Sequence, residues 1–157
     1  MYQLDRRKLS QAETLALYRA TLAWAAERGT SFELMLDSTA YDDPAELAAL
    51  RALAAPRPSS QTSDADESGA LHVRGIPDAR FVTAMTERGA PSGAAAGDES
   101  PVECVTIYAG ERAVLVSYDY GTVLSVDGGE RDLAELRQSL VSAGLSSVRL
   151  LPIAPAG

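Results

Sequence analysis

The chain has one histidine, His72, and one cysteine, Cys104, and these are the side chains best suited to catalytic or metal chemistry. A zinc site or a serine–histidine–aspartate arrangement needs several such residues in one place. His72 alternates with Leu71 and Val73, which predicts a position on the outer face of a strand. Cys104 lies in a strand-like run, without the nearby cation or helix N-terminus that activates a thiolate. We therefore predict no catalytic residue, no cofactor and no metal.

Three carboxylates occur between the predicted end of one strand and the start of a helix, at Asp37, Asp42 and Asp43. Carboxylate oxygens in such a place can bind a hard cation, but the spacing of a calcium-binding loop is absent from the sequence. Asp43 precedes Pro44 and is explained as the N-cap of the helix. Asp37 and Asp42 remain as candidates for contact with a partner.

Tyrosines end two neighbouring strand-like runs, at Tyr108 and Tyr118, and Asp119 and Tyr120 follow the second run directly. We expect these side chains to gather at the strand ends. Tyrosine is a typical interface anchor, because its ring is stiff and its hydroxyl can form a hydrogen bond, although tyrosines at strand ends are also ordinary core residues. The predicted partner-binding residues are Tyr108, Tyr118, Asp119, Tyr120, Asp37 and Asp42.

The net charge of −8 argues against a nucleic-acid-binding surface, which needs a basic face. Eight acidic residues lie between Glu33 and Glu67 beside only two arginines, so most of the imbalance falls in one block. Such a block keeps a protein in solution or attracts a basic partner. No apolar run reaches the length of a membrane span, and none follows the basic N-terminal residues, so we expect a cytoplasmic protein without membrane contact. A single cysteine allows no internal disulfide.

The order of helix-like and strand-like segments predicts one α+β domain over residues 1–157. We expect an antiparallel sheet of about four to six strands, with helices packed mainly on one face. Residues 11–54 form a helix–strand–helix part, 55–69 a flexible linker, and 70–152 a sheet-rich part with one helix. A second flexible loop is predicted at 89–101.

Local patterns set the expected element boundaries. Ser10 and Glu13 form a capping box for a helix over 11–28, which Gly29 ends in the left-handed conformation. Asp132 is the expected N-cap of the last helix, which ends at Gly144. Its expected buried face consists of Leu133, Leu136, Leu140 and Val141.

Residues 78–88 fit either a helix or a strand. The flanking Pro77 and Gly89 favour a helix, but the β-branched and aromatic residues between them prefer strands. We predict a strand, joined as a hairpin to the strand at 71–74.

The function predicted from these features is a small acidic, non-enzymatic protein-interaction module of an inhibitor, immunity-like or chaperone-like kind that binds a basic partner. The alternative is a small-molecule-binding protein or enzyme that uses aspartates and tyrosines, with the flexible loops as a lid. A homodimer formed through a strand edge near 102–108 or 148–151 is compatible with both.

Overall fold

The structure is a computed structural model that describes residues 1–6, 8–37, 44–54, 70–87, 102–118 and 123–154. Within these ranges the chain forms seven strands and four helices. The strands are β1 (Tyr2–Asp5), β2 (Ser31–Asp37), β3 (Ala70–Gly75), β4 (Val102–Ala109), β5 (Arg112–Tyr118), β6 (Val123–Val126) and β7 (Arg149–Pro152). The helices are α1 (Gln11–Ala26), α2 (Pro44–Arg51), α3 (Ala79–Glu87) and α4 (Glu130–Ser142). The predicted α+β class is confirmed, whereas the predicted linker and loop at 55–69 and 89–101 lie outside the described residues.

All seven strands form one antiparallel sheet in the order β3-β2-β4-β5-β6-β1-β7, so the sheet is larger than predicted. β5 is the central strand, as its consecutive apolar residues Val114, Leu115 and Val116 indicate. β7 is an edge strand, as a homodimer formed near 148–151 requires. A free strand edge near 102–108 is wrong, because β4 is paired with β2 on one side and with β5 on the other. β1 lacks a recognisable pattern, because four residues are too short to show alternation.

α1 begins with the predicted capping box. The Ser10 N–H donates to Oε2 of Glu13 at 2.8 Å, and the Glu13 N–H donates to Oγ of Ser10 at 3.3 Å. The helix ends two residues earlier than expected, and Gly29 does not adopt the left-handed conformation predicted for it. Gly29 instead permits close packing, because a Cβ at this position would overlap Cγ2 of Ile107.

The predicted strand over 78–88 is wrong, because Ala79–Glu87 within this segment form α3. Oδ1 of Asp78 accepts a hydrogen bond of 3.0 Å from the Phe81 N–H, which caps the first turn. Phe81 and Met85, four residues apart, are both fully buried, and the Phe81 ring stacks on Phe32 of β2. Burial of this helical face overrides the strand propensity of the individual residues.

α4 begins two residues before the predicted N-cap. Gly129 is the N-cap, and Asp132 lies in the first turn, where its Oδ2 accepts a hydrogen bond of 3.1 Å from the Gly129 N–H. The predicted ending is confirmed, since Gly144 has φ +78° and the Leu145 N–H donates to the Leu140 carbonyl oxygen at 2.8 Å. Val141, which we assigned to the buried helix face, is 53% exposed.

Residues that are paired from strand to strand form rows across the sheet, and these rows show that its two faces differ in burial. One row is almost wholly buried across the central strands, at Phe32, Ile107, Leu115 and Val126. The row on the other face is half-buried or exposed apart from Ser125, and it comprises Arg74, Glu33, Thr106, Val116, Ser125, Gln3 and Leu151. We call this second side the Glu33 face; it carries Glu33, Met35, His72, Arg74, Cys104, Thr106, Val116 and Tyr118.

Candidate functional site

Tyr118, the last residue of β5, is 48% exposed although it belongs to the central strand of the sheet. Its partner in β6 is Val123. The register that pairs Val105 with Ser117 places Tyr118 beside Cys104 of β4. An aromatic ring with this exposure, among smaller side chains on a sheet face, can act as an anchor for a partner.

The row that contains Tyr118 continues across the Glu33 face. Cys104 is paired with Met35 of β2, and Met35 is paired with His72 of β3. Met35, Cys104, His72 and Val123 are all half-buried, so each presents part of its surface. The result is a band of apolar and sulfur-containing side chains that includes the phenol ring of Tyr118. At β3 the band ends in polar side chains.

Tyr108 does not join Tyr118, so the predicted gathering of the tyrosines is wrong. Tyr108 lies beside the turn between β4 and β5, whereas Tyr118 lies at the far end of that hairpin. Four residue steps of about 3.3 Å separate Tyr108 from Cys104, so the two tyrosines are roughly 13 Å apart along the strands. Because β4 and β5 are antiparallel, their C-terminal residues lie at opposite ends of the hairpin, which explains why the two tyrosines are separated. The Tyr108 carbonyl oxygen accepts a hydrogen bond of 2.7 Å from the Thr30 N–H.

Asp37 ends β2 and is paired with Ala70 at the start of β3. Because Met35 is paired with Cys104, the register brings Asp37 to the same end of the sheet as Tyr118, with β4 between their strands. The other three predicted partner-binding residues, Asp42, Asp119 and Tyr120, lie outside the described residues.

Glu33 is the electrostatic centre of the Glu33 face. Its Oε1 accepts a hydrogen bond of 2.8 Å from Nη2 of Arg74 and lies 3.1 Å from Nδ1 of His72. Burial acts to raise the pKa of Glu33, but the hydrogen bonds and charges of Arg74 and His72 prevail and lower it. His72 lies on the outer face of β3, as predicted, and its Nδ1 faces the same Glu33 carboxylate oxygen that Arg74 contacts.

The Cys104 thiol is half-buried, and its Sγ lies 3.8 Å from Oγ1 of Thr106. Burial raises the pKa of Cys104, and the carboxylates of Glu103 and Glu33 act in the same direction. The contact with Thr106 opposes this shift without cancelling it. The thiol is therefore mainly protonated at neutral pH, which makes it a weak nucleophile.

Carboxylates and glycines offer little to a metal or phosphate in the part of the chain that the structure describes. No group of three or more histidine, cysteine, aspartate or glutamate side chains is placed there to hold a metal ion. The Gly129 N–H at the start of α4 already donates to the Asp132 carboxylate, so a side chain of the protein occupies the place an anion would take.

A groove lies between α4 and β7, and the sequence analysis considered only the strand edge at 148–151 that borders it. Its volume is about 420 Å³, and its lining is Arg137, Leu140, Val141, Leu145, Ser146, Val148, Arg149, Leu150 and Leu151. An adjoining cleft of about 510 Å³ shares Arg149 and is lined also by Asp5, Lys8, Leu9 and Ser147. We call the first of these the α4–β7 groove. The exposure of Val141 is the property that sequence reasoning assigned incorrectly, and it would have indicated the groove.

Comparison with known proteins finds no matching family model, no similar curated protein and no similar solved structure. Among the described helices, none has the length and apolar character that a bilayer crossing requires.

Proposed function

We propose that this protein is a non-enzymatic protein-interaction module and that it binds a basic protein partner through the Glu33 face. The observation that carries the proposal is the half-exposed ring of Tyr118 on the central strand. Aromatic anchors of this kind supply much of the binding energy at protein interfaces, because they bury a large area at low entropic cost.

The proposal requires the Glu33 face to be accessible, with the helices packed mainly on the other face. Two contacts support this arrangement. Phe81 of α3 stacks on Phe32, and Gly29 after α1 lies against Ile107. Phe32 and Ile107 belong to the buried row, which is the row that faces away from Tyr118.

A basic partner is favoured by charge. The chain carries a net charge of −8, and the acidic block between Glu33 and Glu67 concentrates it. Asp37, within that block, is at the same end of the sheet as Tyr118. Opposite charges accelerate the encounter of two proteins and help to select the partner. A basic protein that this chain inhibits or escorts therefore fits this surface.

A non-enzymatic role is favoured by the state of the reactive groups. The Cys104 thiol has a raised pKa, and Glu33 is engaged by Arg74 and His72. Neither arrangement supplies the nucleophile and poised base that covalent or acid–base catalysis needs.

The test is affinity capture from the source organism with three baits at low and at physiological salt. The baits are the wild type, Tyr118→Ala and Ile76→Ala. Ile76 is a suitable control because its apolar side chain is 65% exposed on the connection between β3 and α3. We expect the wild type and Ile76→Ala to capture the same basic protein, with less captured as salt rises.

Tyr118→Ala is expected to bind that protein about 30-fold more weakly, as removal of a hot-spot aromatic does. Equal capture by all three baits would contradict the proposed surface. Capture of no protein at either salt would contradict the proposed function.

A further inference from the structure

We infer that the α4–β7 groove is a second docking site, and that it takes an extended peptide segment carrying an aliphatic side chain beside carboxylates. This site favours an acidic ligand, whereas the Glu33 face favours a basic one, so the inference goes beyond the function proposed above. The chemistry of the ligand follows from the apolar floor of the groove, the cations at its rim and the main-chain groups at the edge of the sheet.

The floor of the groove is apolar and partly uncovered. Leu140 and Leu145 are buried in the core, while Val141 and Leu151 are exposed at 53% and 37%. Exposed aliphatic side chains beside buried ones leave a surface that gains free energy when another aliphatic group covers it. One Leu-sized or Val-sized side chain of a peptide matches this part of the groove.

The rim is basic in a chain that is acidic overall. Arg137 and Arg149 line the groove, and Lys8 lies with Arg149 in the adjoining cleft. Within the described ranges, these three side chains form no ion pair with a carboxylate. Among the described residues, Asp5 is the one carboxylate that lines either space. Charges farther away than about 8 Å are largely screened at physiological salt, so the local cations decide which ligand binds.

None of the described strands pairs with the outer edge of β7, and this edge offers limited main-chain pairing. The Ile153 N–H donates to the Met1 carbonyl oxygen at 3.1 Å, so alternation along the strand points the N–H and C=O of Leu150 away from β1. Pro152, two residues further, has a carbonyl but no N–H. A docked peptide can therefore form one reciprocal pair of hydrogen bonds, at Leu150, and its side chains must supply the rest of the affinity.

A second copy of the chain is a poorer occupant than an acidic peptide. Pairing β7 with its own copy would bring together Arg137 and Arg149 of both chains, without acidic residues lining the groove to neutralise them. Acidic residues in a peptide would instead pair with these arginines in bidentate fashion.

The test is selection from a displayed library of random peptides against the whole protein, followed by binding measurements with synthetic copies of the enriched peptides. The variants are Arg137→Glu/Arg149→Glu and, as a control with the same change in charge, Arg80→Glu/Arg131→Glu. Arg80 lies on α3, and Arg131 lies in the first turn of α4, so both are outside the groove. Tyr118→Ala is the third variant, because it separates this site from the Glu33 face.

We expect enriched peptides to carry aliphatic residues beside acidic ones, and to bind Arg137→Glu/Arg149→Glu at least about tenfold more weakly. The control pair and Tyr118→Ala should bind them as the wild type does. An enriched pool without acidic peptides, equal binding of the acidic peptides by all variants, or no enrichment at all would overturn the inference. A dimer in size-exclusion chromatography that Val141→Glu dissociates would assign the groove to a second copy instead, because a charge at this exposed apolar position would be buried between the copies.

Discussion

The rings of Phe32 in β2 and Phe81 in α3 stack with their centroids 4.2 Å apart and their planes at 22°. Both side chains are buried, so this pair fixes α3 against the sheet. We predict that Phe81→Ala lowers the free energy of unfolding by about 3–5 kcal/mol, because it removes a buried ring and leaves a cavity. Urea denaturation is the measurement, and Val82→Ala, the less buried neighbour, is the control. A loss below about 1 kcal/mol for Phe81→Ala would contradict the packing.

Arg28 connects α1 to α4. Its guanidinium bonds to Glu135, lies 3.5 Å from Oδ1 of Asp132, and stands 4.9 Å from the centroid of the Trp24 ring. We predict that Arg28→Gln costs about 1–2 kcal/mol of stability, because hydrogen bonds to charged groups and a cation–π contact are lost together. Arg131→Gln is the control, since Arg131 also pairs with Glu135 but is 92% exposed.

The control should change stability by less than about 0.5 kcal/mol, as exposed ion pairs do. Thermal unfolding at low and high salt measures both variants. Equal effects of Arg28→Gln and Arg131→Gln would show that Arg28 forms an ordinary surface pair and does not hold the helices together.

Tyr18 in α1 is buried, and its hydroxyl has no hydrogen-bond partner among the described residues. Burial raises the pKa of Tyr18 far above its ordinary value, so the phenol stays neutral. We predict that Tyr18→Phe raises the free energy of unfolding by about 1 kcal/mol or more, because an unsatisfied buried hydroxyl carries a desolvation cost. Urea denaturation tests this, with Tyr108→Phe as a partly exposed control. A loss of stability in Tyr18→Phe would reveal a bonding partner for the hydroxyl.

Glu33 gives the protein a component of stability that depends on pH. Its pKa is lowered in the folded state, so its contribution is complete above the unfolded value of about 4.3 and is lost as pH falls through the folded value. We predict that Glu33→Gln costs less than about 1 kcal/mol near neutral pH, because the cluster is partly exposed. The difference between variant and wild type should disappear in acid. A difference that persists in acid would mean that packing, rather than charge, is lost.

Much of the fold follows from local sequence patterns. Ser10 and Glu13 set the start of α1, the alternation of Phe32, Leu34 and Leu36 sets the buried side of β2, and Gly144 sets the end of α4. Each of these features depends on residues close together in the chain, so the sequence displays it directly. The central position of β5 follows in the same way from its continuous apolar run.

The errors arise where distant residues decide the structure. Residues Ala79–Glu87 form a helix because Phe81 packs on Phe32, which is far away in sequence. The need for a glycine at position 29 comes from its close contact with Ile107, a residue that no local sequence pattern connects to it. The tyrosines separate because pairing direction, rather than spacing, decides which strand ends meet. The α4–β7 groove likewise exists only once β7 has returned to the edge beside α4.

Cys104 offers a direct probe of the Glu33 face, because it is the single cysteine of the chain and lies beside Tyr118. The measurement is the rate at which iodoacetamide alkylates Cys104, followed by mass spectrometry, in the free protein and in the saturated complex with the captured basic partner. We predict that the partner slows alkylation several-fold, and that Tyr118→Ala at the same partner concentration restores the free rate. An unchanged rate in the saturated complex would contradict the claim that this face binds the partner.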